Sequence, residues 1–252
     1  MRLHFEVSGS GPIPLLCIHG WCCESSQFDA LAGDLDSEFR IFRPDLPGHG
    51  KTPLDGFQPA FANYAAAVVE FAIEHNIENA VLLGHSMGGA LTLMAAASGR
   101  LHPRALINLD GSLPAAPHVL AGLQKLREWL DEPDFRDRLA AALREGFFLP
   151  HERDTRCEAI IRTMCSAPDA VLRFLPEQIG GLDAATVLSK ISAPVLYIGA
   201  DTPRFDAARA TTLLPPINIE RIAGAGHFMH IYETQRIAAL MGSFIAAQRN
   251  SD

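Results

Sequence analysis

The chain is expected to be an α/β protein: a mainly parallel, doubly wound sheet with helices on both faces and a four-helix insertion. Three observations carry this expectation. Short apolar segments alternate with amphipathic helical ones along most of the 252 residues. The alternation breaks once, between about 112 and 190, where no strand pattern occurs. One apolar segment, Ala80-Val81-Leu82-Leu83, runs straight into Gly84-His85-Ser86-Met87-Gly88 and then an Ala/Leu/Met-rich helical stretch.

Strands are expected at 3–7, 15–18, 40–43, 80–83, 105–109, 195–198 and 217–222. Helices are expected at 27–35, 61–75, 90–98, 206–213 and 234–248. Near-continuous apolar strands such as Leu15-Leu16-Cys17-Ile18 suit a parallel sheet covered on both faces. The break at 112–190 is helical material punctuated by Pro117, Pro133, Pro150, Pro168 and Pro176, read as four helices. It follows the strand that ends at Asp110, so it is placed over the carboxyl ends of the strands, where ligands bind in such sheets. The expected division is a core of 1–111 and 191–252, with 112–190 as a cap.

At 48% hydrophobic residues the length suits one domain with an insertion and is short for two independent ones. Net charge is −8 and no Lys/Arg cluster occurs, which makes nucleic acid and anionic membranes poor partners. A small-molecule substrate is the expected partner, with the chain as monomer or homodimer. The first residues alternate like a strand rather than a signal peptide, and no apolar run is long enough to span a bilayer. Five cysteines (Cys17, Cys22, Cys23, Cys157 and Cys165) lack C-x-x-C spacing and fit buried thiols of a reduced, cytoplasmic protein. The ten histidines are scattered without H-E-x-x-H or similar spacing, so no metal and no other cofactor is expected.

The chemistry centres on Ser86. In G-x-S-x-G between strand and helix, the serine sits on a sharp turn with its hydroxyl above the sheet edge, the context of a nucleophile. A serine needs a general base, and that base an orienting carboxylate. The candidate base is His227, carried by the loop Gly224-Ala225-Gly226 between the last strand and the last helix; His230 is its rival. A neutral imidazole base implies activity rising through about pH 6.5. Two backbone N–H groups should form an oxyanion hole, that of Met87 and that of Trp21 in His19-Gly20-Trp21. His49, in the turn Asp45-Leu46-Pro47-Gly48-His49-Gly50, reads as structural.

With these motifs in place the chain resembles the α/β-hydrolase fold family over nearly its full length. The resemblance implies two-step hydrolysis through an acyl-serine, with the helical insertion as cap. In most members of that family the triad acid lies three residues past a glycine after the strand that follows the cap. Here that position holds Thr202, with Asp201 one residue early. The other known location, the end of the strand before the cap, holds Asp110, which is preferred over Asp201. Ser86 argues against haloalkane dehalogenases and epoxide hydrolases, which use an elbow aspartate. A carboxylic ester or lactone of a small, largely apolar substrate is the expected target. A cofactor-independent ring-cleaving dioxygenase, a C–C bond hydrolase and a non-catalytic receptor on the same fold stay open. Pocket candidates are Trp129, Phe135, Phe147, Phe148 and Phe174 from the insertion, with Trp21, Phe28 and Phe228 from the core. Arg127, Arg144 and Arg173 are the insertion cations that could meet a carboxylate.

Overall fold

A computed structural model describes residues 1–214 and 217–249. The chain begins with β1 (Phe5–Ser8), β2 (Ile13–Ile18), α1 (Asp29–Leu35) and β3 (Phe39–Pro44). Then come α2 (Phe61–Glu74), β4 (Val81–His85), α3 (Met87–Ala97) and β5 (Ala105–Leu109). The insertion supplies α4 (Pro117–Trp129), α5 (Phe135–Phe147), α6 (Thr155–Cys165) and α7 (Asp169–Gln178). The remainder holds α8 (Ala184–Leu188), β6 (Val195–Gly199), α9 (Ala207–Leu213), β7 (Ile217–Arg221), α10 (Met229–Tyr232) and α11 (Thr234–Arg249).

The sheet order is β1-β3-β2-β4-β5-β6-β7; only β1 runs antiparallel, against β3. Side chains alternate between its faces with the period of two that a strand dictates. Leu16, Ile18, Leu82 and Leu106 face α2 and α3, whereas Leu15, Cys17, Val81, Leu83 and Ile107 face α1 and α11. Both faces are covered, so β4, β5 and β6 are buried along their whole length, and their sequences are correspondingly apolar.

The insertion prolines act mainly as start signals, since a missing N–H costs nothing in the first helical turn. Pro117 opens α4, Pro150 opens a 3₁₀ turn and Pro168 is the N-cap of α7; Pro176 lies inside α7, which ends two residues later. The expected four long helices of the insertion are α4 to α7, and the short α8 is an addition that packs on α3 of the core. Two further expectations need correction. Helix α3 starts at Met87 rather than at 90, and α10 was not foreseen, because four residues are too few to show a period. Residues 215, 216 and 250–252 of the expected core lie outside the described residues. Among the described residues no helix is long and apolar enough to cross a membrane.

Candidate active site

The β4–α3 junction is a strained turn. Ser86 has φ 55° and ψ −119°, and it is anchored by its N–H to the Leu109 carbonyl at 2.9 Å and by its own carbonyl to Gly89 N–H at 3.0 Å. A Cβ on Gly84 would lie 2.2 Å from the Gly88 carbonyl oxygen, and one on Gly88 would lie 2.1 Å from that of Ile18. Only glycine at both positions lets α3 approach β2 and β4 closely enough to hold Ser86 at the sheet edge.

Asp110 follows the last residue of β5 with φ 47°, its N–H bonded to the Ile198 carbonyl at 2.9 Å. Its Oδ2 lies 2.7 Å from His227 Nδ1, and both side chains are buried. The other oxygen accepts from Tyr197 Oη (2.9 Å), Arg204 N–H (3.2 Å) and Ala200 N–H (3.3 Å). Burial pushes the Asp110 carboxyl up to about 6, against the lowering effect of Arg204 and these hydrogen bonds. Burial also holds the His227 imidazole well below its usual value, helped by the charge of Arg204 and by His230.

The His227 loop is held from the insertion. The His227 N–H donates to the Phe147 carbonyl at the end of α5 (2.8 Å). Gly226 N–H donates to Glu152 Oε1 (2.8 Å), while Glu152 Oε2 takes the N–H of Leu149 (2.8 Å). Glu152 is 1% exposed, and nothing in its local sequence marks it.

On the other side of Ser86 the His19-Gly20-Trp21 loop is braced by His19, whose Nε2 accepts Leu46 N–H (3.0 Å), leaving Nδ1 to donate to the Gly20 carbonyl (2.8 Å). A Cβ on Gly20 would come within 3.2 Å of Ser86 Cβ, so this loop lies directly against the elbow. The Trp21 indole N–H donates to the Val171 carbonyl of α7 at 2.7 Å, tying core to insertion.

Trp21, Ser86, Met87 and His227 share one cavity of 320 Å³ between the insertion and the strand ends. No described hydrogen bond joins Ser86 to His227; both line this space. The structure does not bring Asp201 or His230 there. Asp201 pairs with Arg221 (2.8 Å) and accepts Gly224 N–H (3.2 Å). His230 is fully buried, packed 4.1 Å from the His85 ring and 5.0 Å from that of Phe28. His49 is buried with Nδ1 3.0 Å from the Pro47 carbonyl, outside the cavity.

Of the aromatic candidates, Trp21, Trp129, Phe147 and Phe228 line the cavity, joined by Phe61. Phe28, Phe135, Phe148 and Phe174 do not; they are buried in packing, Phe148 stacked on Phe228 and Phe174 against Phe61 and Tyr64. The expected arginines are corrected too. None of Arg127, Arg144 and Arg173 reaches the cavity; Arg144 is held by Glu158 and Arg173 by Asp131. The arginine that does line it is Arg204, from the loop after β6. Among the described residues no group of three or more potential metal ligands occurs.

The chain is similar to known proteins. A "Probable serine hydrolase" of Drosophila melanogaster is 36% identical over 118 residues, which are 46% of this chain and 34% of that protein. The chain thus aligns with about a third of that relative's length. A "Pimeloyl-[acyl-carrier protein] methyl ester esterase" of Yersinia enterocolitica is 25% identical over 266 aligned positions, covering 99% of both chains. A solved esterase from Thermogutta terrifontis superposes with a TM-score of 0.82 at 21% identity, over 98% of this chain and 93% of that one, a likeness of fold. The family model described as "Alpha/beta hydrolase family" matches residues 15–240, and the chain belongs to that family.

Proposed function

We propose that the protein is a serine hydrolase that cleaves a carboxylic ester or lactone of a small, largely apolar substrate. The observation that carries this reading is the His227–Asp110 pair at 2.7 Å, with His227 lining the same cavity as Ser86, Met87 and Trp21. Ser86 Oγ adds to the carbonyl carbon while His227 takes its proton, and the oxyanion is met by the N–H groups of Met87 and Trp21. The carbon–oxygen bond to the alcohol then breaks, and His227 returns the proton to the departing oxygen. Water, deprotonated by His227, adds to the acyl-serine, and Ser86 leaves with that proton, so ester and water become acid and alcohol. Asp110 holds the imidazole tautomer and stabilises the imidazolium.

Residues 112–190 act as a cap that supplies the apolar walls. The full-length similarity to an esterase supports the ester reading, and the apolar cavity supports a small organic substrate. Five free thiols, four of them buried, support a reducing compartment such as the cytoplasm.

A fluorophosphonate is expected to add mass to the peptide carrying Ser86, and Ser86→Ala to abolish labelling and ester turnover. Turnover should be the same under nitrogen as in air. Oxygen uptake with a 3-hydroxy-4-quinolone that survives Ser86→Ala would replace this reading with that of a cofactor-free dioxygenase, which needs only the His227–Asp110 base.

A further inference from the structure

We propose that Arg204 binds a carboxylate on the alcohol part of the substrate, so that the preferred substrates are anionic esters or lactones. This rests on the hydrolase reading above and adds the charge class of the substrate and the residue that selects it.

The backbone of Arg204 is fixed at both ends, its N–H on Asp110 Oδ1 at 3.2 Å and its carbonyl accepting Ala116 N–H at 2.9 Å. Its half-buried side chain lines the cavity, with Cζ 4.4 Å from the Phe147 ring centroid. That ring in turn lies 4.6 Å from the imidazole of His227. Among the described residues the guanidinium has neither an ion pair nor a side-chain hydrogen bond, whereas Arg144, Arg156, Arg173 and Arg221 are each paired with a carboxylate. Asp110 does not fill the gap: its oxygens are taken by Tyr197, His227 and two backbone N–H groups.

The charge around the cavity points the same way. The chain carries 29 acidic against 21 basic residues, yet no Asp or Glu lines this space, while Arg204 and Lys125 do. A guanidinium presents a planar fork of N–H donors that matches a carboxylate, and stacking on Phe147 uses its face while leaving those in-plane donors unfilled. Position follows from the chemistry. Trp21 and Met87 take the carbonyl oxygen on one side of Ser86, and His227 protonates the departing oxygen on the other. Arg204 shares Phe147 with His227, so it stands on the departing side.

The test compares 3-acetoxybenzoate with its neutral counterpart 3-acetoxybenzamide. The wild-type protein should favour the carboxylate by about tenfold to a hundredfold in kcat/KM, the range of one charge-assisted hydrogen-bonded contact, mainly through KM. Arg204→Gln should bring the ratio close to one, and Arg204→Lys should keep part of it. Turnover of the benzamide ester by each variant reports that its site is assembled. A wild-type ratio near one, or a ratio that Arg204→Gln leaves intact, overturns the proposal. Binding without turnover is read on Ser86→Ala through the fluorescence of Trp21 and Trp129, both in the cavity wall. Arg204-dependent binding of the benzoate with no ester turnover in wild type would sink the hydrolase reading and leave the Arg204 assignment standing. Turnover with Ser86 labelled but without charge preference would do the reverse.

Discussion

Asp110 and His227 are shifted in opposite directions by the same burial, the carboxyl up to about 6 and the imidazole well below 6.5. Catalysis needs a neutral imidazole beside an ionised carboxylate, and the two titrate as a pair. A depressed imidazole value moves the acid limb of activity to lower pH, so the limb belongs below about 6.5, the ordinary histidine value. The cation of Arg204 opposes protonation of both partners, and Arg204→Gln should move the limb upward. A pH profile of kcat/KM for a neutral ester checks both points; a wild-type limb at 6.5 or above contradicts the burial argument. The carboxylate substitutions are equally asymmetric. Asp110→Asn should lower kcat by about 10⁴, the scale for loss of the group that orients a catalytic imidazole. Asp201→Asn should cost little, because Asp201 is a partly exposed partner of Arg221 away from the cavity. If Asp201→Asn is the crippling change, the acid is misassigned.

Two short pieces of chain set the geometry at the level of elements, the β4–α3 turn and the segment after α5. The second holds the proposed base: Phe147 and Glu152 take the N–H groups of His227 and Gly226. Glu152→Gln keeps one acceptor and turns an amide donor toward another N–H, so one of the two bonds at Glu152 is lost. The expected result is a fall in kcat of about tenfold to a hundredfold with a smaller change in KM, as for a reacting group moved out of line. Fluorophosphonate labelling of Ser86 should slow in parallel. A lower Tm with unchanged kcat would mean that Glu152 only stabilises the fold. Neither Glu152 nor Arg204 was legible in the sequence, because each meets its partner across a long separation, 74 residues to Gly226 and 94 to Asp110. Ser86 and His227 were legible because their loops carry local glycine patterns next to strands. The central strands were legible because burial on both faces makes them continuous apolar runs. The start of α3 was not, since Gly88 and Gly89 look like turn residues although close packing places them inside the helix. Aromatic residues of the insertion could not be sorted into wall and packing by helical spacing alone, and three of its five candidates, Phe135, Phe148 and Phe174, lie away from the cavity.

At the scale of the whole molecule, the unusual feature is the number of histidines stored without charge. His19, His49, His85, His227 and His230 are all at most 4% exposed. Burial lowers every one of them, His49 to about 3, with neighbouring histidines adding to the effect at His49, His85, His227 and His230. In the unfolded chain each would titrate near 6.5, so below that pH the unfolded state binds more protons than the native one. Their contribution to stability is therefore complete above about 6.5 and is lost as pH falls toward the depressed native values. Asp110 acts with the opposite sign, its native value being raised, but it is one group against five. Each histidine costs up to about 1.4 kcal/mol per pH unit, against a total stability of roughly 5–15 kcal/mol for a domain. Acid unfolding should thus be driven by proton uptake at these histidines as the pH falls below about 6.5. Far-UV circular dichroism and Tm at pH 7.5, 6.5 and 5.5 should show a level Tm above 6.5 and a steep decline below it. His230 gives the sharper comparison, because both its ring nitrogens are buried without a hydrogen-bond partner and it lies outside the cavity. His230→Leu, near in volume and unable to titrate, should raise Tm more at pH 5.5 than at pH 7.5. A Tm that stays level from pH 7.5 to 5.5, or a His230→Leu effect equal at both, would show that proton uptake by the buried histidines does not drive acid unfolding.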